Sequence, residues 1–332
     1  MDADQLLLEV RNLSVSFTSA GRLIPIVENL SFSVMPREIL GLVGESGSGK
    51  SVTVMALMGL LDSPGMQITG SARFDGQELI GLPERSMRHI RGRRIAMIFQ
   101  DPMTAFTPVL TIGWQIDEQI RAHKRVSRRE ARACTIKLLG DMGVPDPERT
   151  ADRYPHQLSG GLRQRAMTAM ALSCNPALLI ADEPTTALDV TVQAQILDLL
   201  RSLRKEYGSS VMLITHDMGV VAETCDRVMV LYSGRLAESG PVEDMFRQPL
   251  HPYTTGLLAS IPPLDGPRPA RLPAIPGQPP SPASRPPGCA FAPRCSFTQD
   301  ACNVPPPLVV KGERKVACVL PQPGCLSGET VL

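Results

Sequence analysis

Residues 6–17 and 24–35, near the start of the chain, contain runs in which apolar and polar residues alternate, such as Leu13-Ser14-Val15-Ser16-Phe17 and Leu30-Ser31-Phe32-Ser33-Val34. A period of two is typical of strands that bury one face, so these segments predict an antiparallel β-layer. Residues 68–74 and 95–99 predict two further short strands, and the second is followed directly by Gln100.

Other runs are apolar without alternation, as expected for strands that are buried on both faces of a parallel sheet. They cover residues 39–43, 177–181, 211–214 and 228–231. Apolar residues at helical spacing predict a helix over 52–61, a helical insertion over about 111–174 and a helix over 191–207. Strands that alternate with helices indicate an α/β fold with a mostly parallel sheet.

The composition changes near residue 250. From Pro262 to Pro323 the chain holds 17 of its 31 prolines, which predicts an extension with little regular structure. We therefore expect a domain over residues 1–250, with a helical subdomain over about 101–175, and a Pro- and Cys-rich C-terminal extension over residues 251–332.

The charges nearly balance, with 34 Lys and Arg residues against 33 Asp and Glu residues and a formal net charge of +1. The chain therefore has no overall field that attracts nucleic acid. No apolar stretch reaches the roughly 18 to 20 residues that cross a bilayer. The acidic residues 1–5 lack the basic start of a secretory signal, so we expect the protein to stay in the cytosol.

A glycine-rich loop carries the clearest chemical signal. The segment Gly44-Glu45-Ser46-Gly47-Ser48-Gly49-Lys50-Ser51 fits the pattern G-x-x-x-x-G-K-[ST] between a predicted strand and a predicted helix. In that setting, successive backbone N–H groups and the positive end of the helix form a concave site for phosphate. We expect Lys50 to reach the β- and γ-phosphates and Ser51 to bind Mg²⁺. A turn that only connects two elements is the alternative.

Asp182 and Glu183 follow the apolar run 177–181. The first carboxylate at such a strand end can hold Mg²⁺, and the second can orient or deprotonate a water molecule that faces the γ-phosphate. A plain helix cap or turn is the alternative. The phosphate loop in the same chain favours the catalytic interpretation.

The segment Leu158-Ser159-Gly160-Gly161-Leu162-Arg163-Gln164-Arg165 opens a further predicted helix. Ser159 can be interpreted as a plain N-cap and the glycines as a plain turn. Beside Lys50, Asp182 and Glu183, however, the segment resembles the signature motif of the ATP-binding cassette (ABC) ATPases. The resemblance implies a P-loop NTPase fold of the ABC type, with a RecA-like core, an antiparallel β-layer and an α-helical subdomain.

The resemblance also implies a role for each matching position. Gln100 is similar to the Q-loop glutamine, Ala187-Leu188-Asp189 to the D-loop and His216 to the switch histidine, while Phe17 lies where the family places a ring under adenine. The implied catalytic residues are Lys50, Gln100, Glu183 and His216, and the implied Mg²⁺ ligands are Ser51, Gln100 and Asp182. The implied nucleotide-binding residues are Phe17, Gly44, Glu45, Ser46, Gly47, Ser48, Gly49, Lys50, Ser51, Val52, Gln100, Ser159, Gly160, Gly161 and Asp182.

In this family, two cassettes arranged head to tail share each nucleotide. The resemblance implies that Ser159, Gly160 and Gly161 reach the γ-phosphate that the partner cassette holds. A helix N-terminus with a hydroxyl group and two unshielded amides is itself an anion site. ATP binding is thus expected to join the two cassettes, and hydrolysis is expected to let them separate.

The C-terminal extension narrows the resemblance. Residues 251–258, residues 260–262 and Pro276-Gly277 resemble the tail that marks the ATPases of oligopeptide and dipeptide importers. The segment 101–108 departs mildly from the usual form of that group. The resemblance to the ATPases of peptide importers therefore spans nearly the whole chain.

Four cysteines of the extension, Cys289, Cys295, Cys302 and Cys318, follow the spacing C-x₅-C-x₆-C-x₁₅-C, and Cys325 is left over. Four thiolates in a reducing compartment suit Zn²⁺ or an iron-sulfur cluster, and the spacing alone favours zinc. The resemblance to peptide-importer ATPases implies a [4Fe-4S] cluster instead. Cysteines that bind no ligand are the third possibility.

The leading hypothesis is an ATPase that powers the import of dipeptides or oligopeptides. It implies two transmembrane permease subunits, a second ABC ATPase subunit that is a paralogous heterodimer partner, and indirectly a substrate-binding protein, at the cytoplasmic face of the bacterial inner membrane. One alternative keeps the family but changes the cargo to nickel, opines or sugars. Another is a soluble ABC ATPase that acts on nucleic acid, which the near-neutral charge disfavours.

Overall fold

The computed structural model of the chain describes residues 6–19, 21–184, 190–206, 208–262 and 274–320. The strands are β1 (Leu8–Ser19), β2 (Arg22–Val34), β3 (Ile39–Val43), β4 (Met66–Phe74), β5 (Gln77–Glu78), β6 (Ile95–Ile98), β7 (Leu178–Asp182), β8 (Ser210–Thr215), β9 (Arg227–Tyr232), β10 (Arg235–Pro241), β11 (Val309–Lys311) and β12 (Arg314–Val316). The helices are α1 (Lys50–Leu57), α2 (Glu84–Ile90), α3 (Pro102–Ala105), α4 (Ile112–His123), α5 (Arg128–Asp141), α6 (Pro147–Ala151), α7 (Gly160–Leu172), α8 (Val190–Glu206), α9 (Met218–Thr224), α10 (Val242–Arg247) and α11 (Pro252–Ala259).

The chain divides into two compact units. The glycine-loop unit comprises Leu8–Ser33, Leu40–Ile80 and the residues from Thr215 onward. The helix-rich unit comprises Val34–Ile39 and Gly81–Ile214, with the described residues before Leu8.

Two sets of strands build the glycine-loop unit. In the first, strands lie in the order β2-β1-β4-β5, and β1 pairs with β4 in antiparallel register. In the second, β3 is parallel to β9, while β9, β10, β12 and β11 pair successively in antiparallel fashion. Every residue of β3 is buried, as its unbroken apolar sequence predicts.

In the helix-rich unit, β6, β7 and β8 are parallel neighbours. Ile98 pairs with Ala181, and Asp182 pairs with Ile214, so the carboxyl ends of these strands meet at one edge. All residues of β7 and β8 are buried. The residues that follow these strands are therefore brought to a common edge, where side chains from different strands can act together.

The predicted helical insertion is present as α4 to α7. The first of these helices buries Ile112, Ile116 and Ile120, whose spacing of four places them on one face. The next, α5, begins with a capping box in which the side chains of Ser127 and Glu130 each accept a hydrogen bond from the other residue's backbone N–H. Local sequence thus defines both the buried face and the start of these helices.

The expectation of little regular structure after residue 250 is only partly correct. Helix α11 follows His251 directly, and β11 and β12 form a hairpin that pairs with β10 through Glu238 and Val316. The hairpin forms because residues 308–316 contain no proline and because Gly312, at φ +58°, permits a tight turn.

Candidate functional site

The glycine loop has the backbone geometry that a phosphate site requires. Gly44, Gly47 and Gly49 have φ angles of +153°, +78° and +98°. A Cβ atom on Gly44 would lie 2.3 Å from the carbonyl oxygen of Leu231, whereas a Cβ on Gly47 would meet no atom within 4 Å. The loop is therefore packed tightly on one side and open on the other.

Polar groups around this loop are ready to bind an anion. The Nζ atom of Lys50, which is buried, donates hydrogen bonds to the carbonyl oxygens of Gly44 at 2.7 Å and Glu45 at 3.1 Å. The buried hydroxyl of Ser48 has no hydrogen-bond partner within the part of the chain that the structure describes. Helix α1 begins after Gly49, which has no side chain to cap the first N–H groups. These groups fit the phosphates of a nucleotide.

The remaining nucleotide-binding candidates of the glycine-loop unit lie at the surface or on the first turn of α1. Ser46 is exposed, while Ser51 and Val52 are half-buried in the first turn of α1. Phe17 lies near the end of β1 opposite Met66, with 36% of its surface exposed. Its ring is thus accessible to a ligand.

His216 lies exposed in a sharp turn between β8 and α9. The turn is fixed on either side of it, because Thr215 Oγ1 accepts a hydrogen bond from the N–H of Asp217 at 3.0 Å. The Asp217 side chain in turn caps α9 by accepting from the N–H groups of Gly219 and Val220, at 2.8 Å and 3.2 Å. The residues that follow and precede His216 are therefore held in place by hydrogen bonds.

In the helix-rich unit, Gln100 and Glu183 come together at the strand edge. The Nε2 atom of Gln100 donates to Oε2 of Glu183 at 2.8 Å. Glu183 has φ +47°, in the left-handed region that side chains disfavour, and its N–H donates to the carbonyl of Ile214 at 2.9 Å. Asp182, the last residue of β7, is buried. Backbone strain held by surrounding contacts is common at functional sites.

The glycines of the signature segment lie at the N-terminus of α7. Ser159 caps the helix, with its Oγ accepting from the N–H of Leu162 at 3.4 Å. Ser159 and Gly160 are exposed and Gly161 is half-buried. A Cβ atom on Gly160 would meet nothing within 4 Å, so this helix end is uncovered.

One contact near this segment was not predicted from the sequence. The side chain of Gln164, buried in α7, donates from Nε2 to the carbonyl oxygen of Pro184 at 2.9 Å. Pro184 directly follows Glu183, so the first part of the signature helix is tied to the loop that carries the acid. The glutamine lies within the quoted motif, but sequence spacing gives no signal for its partner.

The predicted D-loop, Ala187-Leu188-Asp189, lies outside the described residues, as does Cys325. The described part of the chain contains no helix that is both long and apolar enough to span a membrane.

The prediction of an iron-sulfur cluster on Cys289, Cys295, Cys302 and Cys318 is wrong. These thiols line one narrow cavity of about 10 Å³ together with His251. No group of three or more His, Cys, Asp or Glu side chains among the described residues is arranged to hold a metal ion, which leaves the zinc alternative without a site as well. Burial raises the pKa of Cys289, Cys295 and Cys318, which favours neutral thiols over the thiolates that bind metals.

Comparison with known families agrees with this geometry. The family model described as ABC transporter matches residues 27–186. A second model, described as the oligopeptide/dipeptide transporter C-terminal region, matches residues 237–302. The first match includes the glycine loop, the signature segment and the acidic pair.

Individual proteins resemble the chain over most of its length. A Brucella abortus (strain 2308) protein named as a peptide import ATP-binding protein is 53% identical over 94% of this chain and 94% of its own. The oligopeptide transport ATP-binding protein AppD of Bacillus subtilis (strain 168) is 50% identical over 95% of this chain and 96% of its own.

Among solved structures, the ATP-binding cassette MJ0796, a dimer in a post-hydrolysis state bound to ADP and Pi, is similar with a TM-score of 0.64. It is 28% identical and covers 71% of this chain and 98% of its own. The predicted ABC cassette fold is thereby confirmed. The chain belongs to the ABC transporter family, as an ATPase cassette with an oligopeptide/dipeptide transporter C-terminal region.

Proposed function

We propose that the chain is the ATP-binding and ATP-hydrolysing subunit that energises import of dipeptides or oligopeptides through separate membrane permease subunits. The observation that carries the proposal is the open glycine loop, with Lys50 and the unpartnered Ser48 hydroxyl beside it. The cargo follows from relatives that are named for peptide import and oligopeptide transport. Import of nickel, opines or sugars, and action on nucleic acid, are not favoured by these relatives.

The glycine-loop unit supplies most of the proposed nucleotide contacts. The loop amides from Gly44 to Val52 hold the phosphates, Lys50 contacts the β- and γ-phosphates, and Phe17 packs under the adenine ring. The exposed face of Phe17 and the open side of the loop at Gly47 support these roles. A fixed nest of N–H groups suits a bound anion because it needs no reorganisation when the ligand arrives.

Mg²⁺ is proposed to bind through Ser51, Gln100 and Asp182. A hydroxyl, an amide oxygen and a carboxylate are the hard oxygen donors that this ion prefers. When bound, the ion neutralises charge on the β- and γ-phosphates.

Glu183 is proposed as the general base for hydrolysis. Its carboxylate accepts a proton from water while the water oxygen bonds to the γ-phosphorus, and the bond from that phosphorus to the ADP oxygen breaks. Gln100 orients the carboxylate through the 2.8 Å hydrogen bond. His216, exposed after β8, is proposed to contact the γ-phosphate.

The N-terminus of α7 is proposed to complete the site of a second cassette. Ser159, Gly160 and Gly161 would contact the γ-phosphate bound by a neighbouring ATPase subunit arranged head to tail. The uncovered helix end supports this role, because its N–H groups can donate hydrogen bonds to an anion held by another molecule. The similar cassette MJ0796 is dimeric.

The remaining partners follow from the transport role. We propose two transmembrane permease subunits, a paralogous ATPase as the second cassette and a substrate-binding protein that acts indirectly. The complex is assigned to the cytoplasmic face of a bacterial inner membrane, where the chain binds peripherally. Residues 251–332 are proposed as the extension that distinguishes peptide importers, with the cassette over residues 1–250 and its helical subdomain over about 101–175.

The cargo is tested with the complete importer in vesicles. ATP hydrolysis is measured while the substrate-binding protein is loaded in turn with a dipeptide, an oligopeptide, nickel, an opine or a sugar. We expect only the peptides to stimulate hydrolysis. Stimulation by a non-peptide cargo alone would refute the peptide assignment, and equal hydrolysis with and without every cargo would refute the transport role.

A further inference from the structure

Glu45, the second residue of the glycine loop, is held by residues of the C-terminal region. Its backbone N–H donates to the hydroxyl oxygen of Tyr253 at 2.8 Å. Its carboxylate accepts two hydrogen bonds from Arg294, from Nη1 at 2.6 Å and from Nη2 at 2.9 Å. Both partners lie more than 200 positions away in the sequence, at separations of 208 and 249 residues.

Arg294 is itself rigidly placed. Its side chain is only 5% exposed, and its Nε donates to the carbonyl oxygen of Pro276 at 2.7 Å. Nη1 also donates to the hydroxyl of Tyr232 at 3.2 Å, and the guanidinium carbon lies 5.8 Å from the centre of that ring. A planar guanidinium with two parallel bonds to a carboxylate fixes the orientation of both groups.

Tyr253 is placed by aromatic packing. It is fully buried at the start of α11 and packs edge-on against Tyr232, with ring centres 4.6 Å apart. Phe291 completes the cluster, with its ring centre 5.3 Å from that of Tyr253. Burial raises the pKa of Tyr253, so its hydroxyl stays neutral across the physiological range.

These contacts restrain a part of the glycine loop whose backbone would otherwise be flexible. Glu45 lies between Gly44 and Gly47, two residues whose backbone is intrinsically permissive. Its N–H is held by Tyr253, its carbonyl by Lys50 and its carboxylate by Arg294. A loop fixed in its binding conformation loses less entropy when a ligand arrives, which raises affinity.

Charge adds a second effect. The Glu45 carboxylate lies in the same loop that receives the phosphates, where an unpaired negative charge would repel a triphosphate. The guanidinium of Arg294 neutralises that charge. Loss of Arg294 would therefore both loosen the loop and expose the nucleotide to the carboxylate.

We propose that Tyr253 and Arg294 are positioning residues for ATP, through which the C-terminal region acts as part of the nucleotide site of the same chain. The inference rests on the assignment of the glycine loop as the ATP site. It gives the extension a role in ATP affinity that is separate from recognition of partner proteins. Changes in the extension that displace Arg294 would weaken ATP binding.

The test measures the Kd of the full-length chain for the slowly hydrolysed analogue ATPγS, with Mg²⁺, by calorimetry. Tyr253→Phe removes one oxygen atom and keeps the aromatic packing, and we expect it to raise Kd about fivefold to tenfold, the usual effect of losing one hydrogen bond. Arg294→Ala should raise Kd about tenfold or more, and Arg294→Lys should give an intermediate value. If the parent chain binds ATPγS and the variants bind it equally well, this inference fails. If the parent chain does not bind ATPγS, the assignment of the glycine loop as the ATP site fails.

A double-mutant cycle distinguishes positioning from general loss of stability. Arg294→Ala and Glu45→Ala should be strongly non-additive in their effects on Kd, because each removes the same ion pair. Arg314→Ala is the matched control, since Arg314 also lies in the C-terminal extension, residues 251–332, but pairs with Glu238 at 2.6 Å. It should combine additively with Glu45→Ala. Kd values within twofold of the parent for both Tyr253→Phe and Arg294→Ala, or additivity of Arg294→Ala with Glu45→Ala, would overturn the inference.

Discussion

At the scale of single residues, Glu183 is held in a defined position. Its left-handed backbone turns the chain sharply after β7, and its carboxylate meets the amide of Gln100. A carboxylate is an effective base for water only when its position is fixed, and here both the backbone and the side chain have partners.

Replacement of Glu183 by Gln removes the proposed base and keeps the size of the side chain. ATP affinity should remain within about twofold, whereas hydrolysis should fall by about 10² to 10⁴, the usual range for a positioned general base. Phosphate release from the complete importer and calorimetric binding of ATP give the two readouts.

The control replaces the exposed Glu313 by Gln and should leave both quantities unchanged. A turnover within threefold of the parent for Glu183→Gln would remove Glu183 from the role of base.

At the scale of elements, a hydrogen bond links α7, which begins at the signature glycines, to the residue that follows Glu183. Gln164 is buried, and its amide Nε2 donates a hydrogen bond to the carbonyl oxygen of Pro184. Gln164→Leu keeps the approximate volume but leaves the Pro184 carbonyl without this donor. The free energy of unfolding should fall by about 1–3 kcal/mol, measured by urea denaturation.

Gln67→Leu, at an exposed position of β4, should change the unfolding free energy by no more than about 0.5 kcal/mol. Equal effects of the two substitutions would show that the contact with Pro184 does not stabilise the fold.

Helix α11 makes stability depend on pH through His251. The imidazole is buried, its Nδ1 accepts a hydrogen bond from the N–H of Tyr253 at 3.0 Å, and burial lowers the pKa of His251 from 6.5 to about 4. Above pH 6.5 the His251 side chain is neutral in both the folded and the unfolded state. As the pH falls from 6.5 to 4, the unfolded state takes up a proton first, so stability is lost over that window, by about 3 kcal/mol in total.

His251→Asn keeps a capping acceptor and cannot titrate. Its unfolding free energy, followed from pH 7 to pH 4, should therefore fall less steeply than that of the parent. Parallel pH profiles for the two proteins would contradict a buried, neutral His251.

The elements that the sequence predicts well are those whose signal is local. The runs at 39–43, 177–181 and 211–214 are apolar throughout, as expected for strands buried on both faces, and the structure has buried strands at Ile39–Val43, Leu178–Asp182 and Ser210–Thr215. The glycine loop was predicted because strand, loop and helix are adjacent in the chain. The β11–β12 hairpin was missed because its pairing with β10 joins residues far apart in the chain, and because the extension that contains the hairpin is rich in proline outside residues 308–316.

At the scale of the whole molecule, the spacing of residues along the sequence does not predict contacts between segments that lie far apart in the chain. Four cysteines occur close together in the sequence of the extension, yet their side chains do not form a metal site among the described residues. The contact between Arg294 and Glu45 has no sequence signal, since the two residues are 249 positions apart. The resemblance predicted the family correctly and the iron-sulfur cluster incorrectly, because a shared motif does not determine which groups surround each side chain.

The two units divide the proposed catalytic residues between them. The glycine loop and His216 belong to the glycine-loop unit, and Gln100, Ser159, Asp182 and Glu183 belong to the helix-rich unit.

The proposed function is tested most directly by ATP-dependent peptide uptake into vesicles that contain the complete importer, with either the parent chain or Glu183→Gln. We expect uptake to require ATP with the parent chain and to fall to background with Glu183→Gln, although ATP still binds. Peptide uptake that continues at the parental rate with Glu183→Gln, or that proceeds without ATP, would contradict it.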